Sequence, residues 1–235
     1  MVNKFQIEQD LYRYFEDGIS EESLTDDQYT IKDDGTVSVD AFVSRRRSVP
    51  SGMLPVKFGT VIGGCNFADM NLRTLRGSPH VVSDDFDCSS NRLVSLEYAP
   101  KQVMGAFRCS NNQLTSLTGC PSINDELDCS YNQLTDLSTA PPARVCFATY
   151  NPFKHFRNTP GHIVEVTISY DPALPLLGLL SVHKVEVYDP ETGDLMDQLS
   201  EILTSHTGKG VWHKKNALAC AIDLVKAGFK SNARL

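Results

Sequence analysis

Three cysteines are the first residues in this chain whose type and spacing could do chemistry. Cys88, Cys109 and Cys129 each lie third in a stretch of eleven residues, written FDCSSNRLVSL, FRCSNNQLTSL and LDCSYNQLTDL. Thiolates brought to one face of a fold could bind a soft metal ion or take part in redox chemistry. The repetition offers another explanation, because a small apolar side chain copied with a motif is expected to build a repeated core. We favour this second explanation and predict no metal and no cofactor.

Other candidates for catalysis are weak. The six histidines are scattered, and the seven cysteines contain no C-x-x-C pair, so neither a zinc site nor a disulfide framework is predicted. Gly208-Lys209-Gly210 lacks the frame of a phosphate-binding loop. Cys220 falls on the apolar side of a predicted helix, where a core role is expected. We therefore predict that the protein is not an enzyme.

The eleven-residue stretch belongs to a repeat with a period of about 21 residues. It reads apolar-x-Cys-x-x-Asn-x-Leu-x-x-Leu and is followed by a proline. Because side chains alternate along a strand, Phe86 and Cys88 are predicted to point inward and Asp87 outward. The asparagines are predicted to satisfy buried backbone groups at the turn and in the next coil. They are Asn91, Asn112 and Asn132.

The repeat resembles the short leucine-rich repeats of about 20–22 residues, L-x-x-L-x-L-x-x-N-x-L. The resemblance implies a right-handed α/β-type solenoid, with short parallel strands on a concave face and extended return segments on the convex face. We assign residues 37–189 to this solenoid, with the clearest repeats at 85–160.

The ends are predicted to cap the solenoid, since a terminal coil would otherwise expose its apolar interior. Residues 1–36 are assigned to an N-terminal cap, with a helix over Phe5–Ser20 stopped by Gly18 and then a strand hairpin. Residues 190–235 are assigned to a C-terminal helical hairpin. This hairpin is either a cap or a separate effector or dimerisation element, and the sequence leaves both open.

The outward strand positions are predicted to bind a partner. They are mostly acidic, with Arg108 as the exception, and the later coils add aromatic residues that suit an interface hot spot. The alternative is that the C-terminal helices cover these aromatic residues. The predicted partner-binding residues are Asp69, Asp85, Asp87, Arg108, Glu126, Asp128, Tyr131, Phe147, Tyr150 and Tyr170.

Charge and hydropathy narrow the classes of partner. The net charge of −7 disfavours binding to nucleic acid, and the one basic run, Ser44–Ser48, is interpreted as a solvated loop. The longest apolar run, Ala173–Val182, is too short to span a membrane. No signal peptide is visible, and the pattern of cysteines favours a reducing cytosol.

The phrase C-S-x-N-x-L-T-S-L-x-G-x-P at Cys109–Pro121 and the ending AGFKSNARL resemble leucine-rich-repeat proteins of tailed bacteriophages. This resemblance implies a protein that acts in the host cytoplasm and binds a bacterial protein, such as a defence component, through its concave face. One alternative is a nucleotide or small-molecule binding protein with a site near His183, Lys209, Trp212 and His213. Another is a virion-associated component.

Overall fold

The structure is a computed structural model that describes residues 2–20, 22–123, 125–208 and 213–234. Short strands pair in parallel from one turn of the chain to the next, and helices are few, so the fold is a parallel-strand β-solenoid. The chain divides into two compact units. One unit contains residues 1–114 and 118–124, and the other contains residues 115–117 and 125–235.

The first unit contains one helix and ten strands among its described residues. They are α1 (Lys4–Tyr14), β1 (Phe15–Glu16), β2 (Tyr29–Ile31), β3 (Thr36–Val39), β4 (Val43–Arg45), β5 (Lys57–Val61), β6 (Cys65–Asn66), β7 (Val81–Val82), β8 (Phe86–Asp87), β9 (Gln102–Val103) and β10 (Phe107–Arg108). One sheet has the order β1-β4-β6-β8-β10 and the other the order β2-β3-β5-β7-β9. The return segments therefore build a second sheet of their own. The pairs β1–β4 and β2–β3 are antiparallel and the others are parallel.

The second unit contains four parallel strands and two α-helices among its described residues. They are β11 (Glu126–Asp128), β12 (Ala143–Phe147), β13 (Ile163–Ser169), β14 (Lys184–Tyr188), α2 (Asp197–Ser205) and α3 (Lys214–Lys226). The strands pair in the order β11-β12-β13-β14. Leu127, Cys146, Val166 and Val185 share one register row, and all four are buried. Helices α2 and α3 lie in the region where the sequence predicts two C-terminal helices.

The repeated cysteines lie in the core. Cys88, Cys109 and Cys129 are fully buried, as alternation along the strand requires. In the first unit, Phe86 stacks on Phe107 with ring centroids 5.5 Å apart, because equivalent residues of paired strands lie side by side. The predicted inward positions are therefore confirmed.

Asn91 and Asn112 bond to their own turn, as predicted, and to the coil before them rather than to the next coil, which corrects the other part of the prediction. The Oδ1 atom of Asn91 accepts from Met70 N and Leu72 N at 3.1 and 2.8 Å. The Oδ1 atom of Asn112 accepts from Leu93 N at 2.9 Å, and its Nδ2 donates to Cys88 O and Cys109 O at 3.0 and 3.1 Å. One amide therefore satisfies buried backbone groups of two coils.

The N-terminal helix is shorter than predicted. It ends at Tyr14 rather than at Gly18, and the next two residues form β1, which pairs antiparallel with β4. The reason is packing, since the Phe15 ring lies edge-on to Phe58 with centroids 5.1 Å apart. The strand hairpin is confirmed, with Tyr29 opposite Val39.

The basic run is not a free loop. Arg45 lies in β4, and its guanidinium is 3.1 Å from the carboxylate of Asp69. Arg46 donates to the hydroxyl of Ser23 and to the carbonyl of Tyr12. Two of these arginines therefore tie the first coil to its neighbours.

Helix α2 covers the outer edge of β14. The hydroxyl of Ser200 accepts from Val187 N at 2.9 Å, and that of Thr204 accepts from Val185 N and donates to Val185 O, both at 3.1 Å. The backbone of Met196 donates to Val187 O at 2.8 Å. These bonds occupy backbone groups that an edge strand would otherwise leave unpaired.

We predict that Asn112→Ala lowers the free energy of unfolding by about 3 kcal/mol or more, because it leaves several buried backbone groups without partners. Urea unfolding followed by circular dichroism measures this loss. The matched control is Asn111→Gly, at an exposed neighbour whose backbone φ of 53° suits glycine. A loss below about 1 kcal/mol for Asn112→Ala would contradict the role assigned to the amide.

Candidate functional site

In five coils the same position has a left-handed backbone. It is the residue just before the asparagine position, and φ there is 53° or 54°. In the first unit this residue is Asp69, Ser90 or Asn111, and in the second unit it is Tyr131 or Tyr150. Short polar side chains tolerate this conformation, whereas it costs a tyrosine about 1–2 kcal/mol. The two tyrosines therefore occupy strained positions, and such strain clusters at functional sites.

The two strained tyrosines form a stacked pair. Their ring centroids are 4.3 Å apart with an interplanar angle of 12°. Tyr131 is 53% exposed and Tyr150 is 40% exposed. The Tyr150 hydroxyl is 3.3 Å from the Pro190 carbonyl, to which it donates. Desolvation, and then the neighbouring Tyr150 hydroxyl, raise the pKa of Tyr131. We call Tyr131 and Tyr150 the tyrosine pair.

The outward side chains of β11–β14 form a face that we call the strand face. Asp128, Phe147, Thr167 and Glu186 share one register row across it. Phe147 is half-buried in this row. Glu126 also lies on the strand face, in β11, and is half-buried. The two acids of the row therefore lie at its ends, with Phe147 and Thr167 between them.

A lysine that the sequence argument missed lies at the far side of the strand face. The ammonium of Lys184 is 2.6 Å from both Glu165 and Glu186, and these two carboxylates raise the pKa of Lys184 above its usual value. The alternation of charged and apolar residues in KVEVY was the available signal. Lys184 therefore neutralises part of the acidic charge at that side of the strand face.

Tyr170 is only half-buried, and its ring meets Phe229 edge-on with centroids 6.2 Å apart. The C-terminal segment therefore contacts Tyr170. The tyrosine pair, in contrast, keeps about half of its surface exposed. The C-terminal segment therefore covers part of Tyr170 but leaves Tyr131 exposed.

The predicted acidic residues of the first unit have structural partners. Asp85 is 2.7 Å from the guanidinium of Arg108, and its other oxygen accepts from Ala106 N at 2.8 Å. Burial raises the pKa of Asp85, but the bonds from Arg108 and Ala106 outweigh it and lower the pKa. Asp87 accepts from Ser89 N at 2.8 Å. Arg108 and Asp85 therefore compensate each other, and the most exposed acid among the four predicted residues of this unit is Asp69.

Within residues 2–20, 22–123, 125–208 and 213–234, no group of three or more His, Cys, Asp or Glu side chains could hold a metal ion. Desolvation by burial raises the pKa of the Cys65 and Cys88 thiols and raises that of Cys220 to about 12. Of the residues proposed for a nucleotide site, His183 and His213 are exposed, while Lys209 and Trp212 lie outside the described residues.

Comparison with known proteins gives no relative. The chain matches no protein-family model, no curated protein sequence and no solved structure. Among the described residues, no helix has the length and apolar character needed to cross a membrane.

We predict that one cysteine reacts much faster than the other six with a thiol reagent in the folded protein. Cys120 is partly exposed and the others are buried, and only an accessible thiolate attacks the reagent. Absorbance of the released thiol reports the kinetics. Cys120→Ser is expected to remove the fast phase, whereas Cys220→Ser is expected to retain it. A fast phase that survives Cys120→Ser would show that the buried core opens readily.

Proposed function

We propose that this chain is a non-enzymatic protein-binding module whose binding surface is the tyrosine pair with the adjoining strand face. The observation that carries the proposal is the exposure of two stacked tyrosines at backbone positions that disfavour tyrosine. Large, rigid aromatic side chains dominate binding energy in many interfaces. Two rings that are already stacked lose little conformational freedom when a partner covers them.

Charge on the strand face indicates the chemistry of the partner. Glu126 and Asp128 lie in β11 beside β12, the strand of Phe147, and the chain carries a net charge of −7. An acidic rim around an aromatic centre favours a partner with a basic rim, since complementary charge speeds association. We therefore propose a partner that places arginine or lysine against the carboxylates and an apolar or cationic group on the rings.

We also propose that the coils are of the short leucine-rich-repeat type, that α1 with the β2–β3 hairpin caps the N-terminal end, and that α2 and α3 form the C-terminal cap. The buried asparagine bonds between coils support the first proposal. The hydroxyls of Ser200 and Thr204 on the edge of β14 support the C-terminal cap. From the resemblance to phage proteins, we propose that the partner is a protein of the bacterial host and that binding occurs in the host cytoplasm.

We predict that Tyr131→Asn combined with Tyr150→Asn abolishes capture of the partner without loss of stability. Asparagine is the residue at the equivalent position 111 and accepts the left-handed backbone. The double variant therefore keeps the turn and removes the two rings together with the bond from Tyr150 to Pro190. Proteins captured from bacterial lysate by the native chain and by the variant are compared by quantitative mass spectrometry. Ser90→Asn, at the same coil position in the first unit, is the matched control.

The expected result is a protein that the native chain and Ser90→Asn enrich and that the double variant loses by about tenfold or more. Identical capture by all three chains, with unchanged thermal unfolding, would contradict the assignment of the surface. Mass spectrometry of purified phage particles provides a separate check, because a virion component would be found there.

We predict that Ser200→Ala combined with Thr204→Val destabilises the protein by about 2–3 kcal/mol and promotes self-association. The change leaves backbone N–H groups of β14 without partners and uncovers a strand edge. Thermal unfolding and size-exclusion chromatography measure the two effects. Ser205→Ala, on the exposed side of the same helix, is the control. A stable monomeric double variant would count against the proposed capping role of α2.

A further inference from the structure

A groove of about 1150 Å³ crosses the first unit on the side of the return segments. Four consecutive coils line it, through residues 53–58, 76–80, 96–101 and 119–122. Neither the strand face nor the tyrosine pair contributes to it. Its volume is slightly larger than the range of about 300–1,000 Å³ that is typical of ligand pockets.

The lining of the groove repeats with the coils. Pro79, Pro100 and Pro121 are the prolines that follow the leucines of successive repeats, and all three are buried in the lining. The apolar side chains of Met53 and Tyr98 remain 46% and 55% exposed. The groove therefore offers an apolar surface that water still reaches, which is typical of a binding site.

Tyr98 is the residue of the groove that departs from the repeat. Its backbone φ is 69°, and the residues one repeat before and after it are glycines, Gly77 and Gly119, with φ of 100° and 94°. A Cβ atom at Gly77 would lie 2.8 Å from the Val56 carbonyl, so that coil has no room for a side chain. The coil of Tyr98 therefore bears the strain of a left-handed tyrosine. The coils before and after it have glycine at that position, so they present no side chain there.

The charge of the groove is opposite to that of the chain. Lys57, Arg76 and Lys101 line it together with a single acidic residue, Glu97. Lys57 is paired with Asp34 at 3.2 Å. Across the described part of the chain, neither Arg76 nor Lys101 forms an ion pair within 4.0 Å. These two cations therefore remain to pair with a ligand, in a chain whose net charge is −7.

The length of the groove matches a short extended segment. Four coils at about 4.8 Å spacing span about 14 Å, which equals about four extended residues at about 3.4 Å each. We propose that the groove binds an extended acidic segment of a partner protein. An apolar side chain of that segment packs on Tyr98, and its carboxylates pair with Arg76 and Lys101.

The test uses the full chain and a synthetic array of hexapeptides that combine Asp or Glu at three positions with Leu, Phe, Val or Ala at the others. A second array carries Lys in place of each acid. The expected result is retention on acidic peptides about tenfold above that on their basic counterparts. Equal retention on both arrays would overturn the proposal, and so would a preference for the basic array.

Variants locate the site, with the affinity for the best acidic peptide measured by fluorescence polarisation. Tyr98→Gly adopts the residue of the flanking coils, so the fold is expected to persist, and circular dichroism checks this. Both Tyr98→Gly and the double change Arg76→Gln with Lys101→Gln are expected to weaken binding about tenfold or more. Unchanged affinity in both variants would overturn the assignment to the groove.

Two further measurements separate this proposal from the others. The double variant Tyr131→Asn with Tyr150→Asn is expected to bind the acidic peptide as the native chain does, so the groove and the strand face can fail independently. Size-exclusion chromatography over a range of concentrations tests a second copy as the occupant. If the native chain self-associates and Tyr98→Gly does not, the occupant of the groove is a second copy of this chain. That result would overturn the proposal.

Discussion

A buried asparagine reaches from one coil to the coil before it, and the regularity of this solenoid depends on that bond. The amide of Asn112 joins Leu93 N, Cys88 O and Cys109 O, and that of Asn151 joins Leu134 N, Cys129 O and Ala148 O. Backbone groups at a buried turn have no water to bond with. The amide replaces that water and sets the distance between coils. An alanine there would leave the turn unsatisfied and the spacing unspecified.

The turn also fixes the conformation of the residue before the asparagine position. That residue is left-handed at Ser90 and Asn111, where the cost is low, and equally at Asp69, although methionine follows it. Tyr131 and Tyr150 adopt the same conformation at a higher cost. The surrounding bonds tolerate this strain because they over-determine the turn. The turn therefore accepts residues that its backbone disfavours, and an exposed tyrosine can be placed there with a defined direction.

Much of the scaffold was predictable because it depends on period and alternation. The burial of Phe86 and Cys88 follows because side chains alternate between the two faces of a strand, so residues two apart point to the same side. The direction of the asparagine bonds was not predictable. Similar coils lie about one repeat before and one repeat after Asn91, so the sequence does not show which of them the amide bonds to. Nor did the sequence indicate that the return segments would pair into the sheet that contains β5, β7 and β9. Strands of two residues, such as Val81–Val82, are too short to show alternation.

The candidate surfaces were harder to predict, and the reason is local. Aromatic type and alternation indicated that Tyr131 and Tyr150 point outward, but their stacking depends on a backbone φ that tyrosine itself does not favour. Tyr98 gave no signal in isolation, because a lone exposed tyrosine is ordinary. Tyr98 stands out only when it is compared with Gly77 and Gly119, which have the same left-handed backbone at the same coil position.

A repeat of this kind has two sets of positions that can vary without disturbing its buried amides. One set lies on the strands and their turns, and the other lies on the return segments. In this chain the first set carries acids and tyrosines within the second unit, and the second set carries Arg76, Lys101 and Tyr98 within the first unit. The exposed positions of each set can change their charge at little cost in stability. Surfaces of opposite charge can thus arise on coils that share one internal pattern.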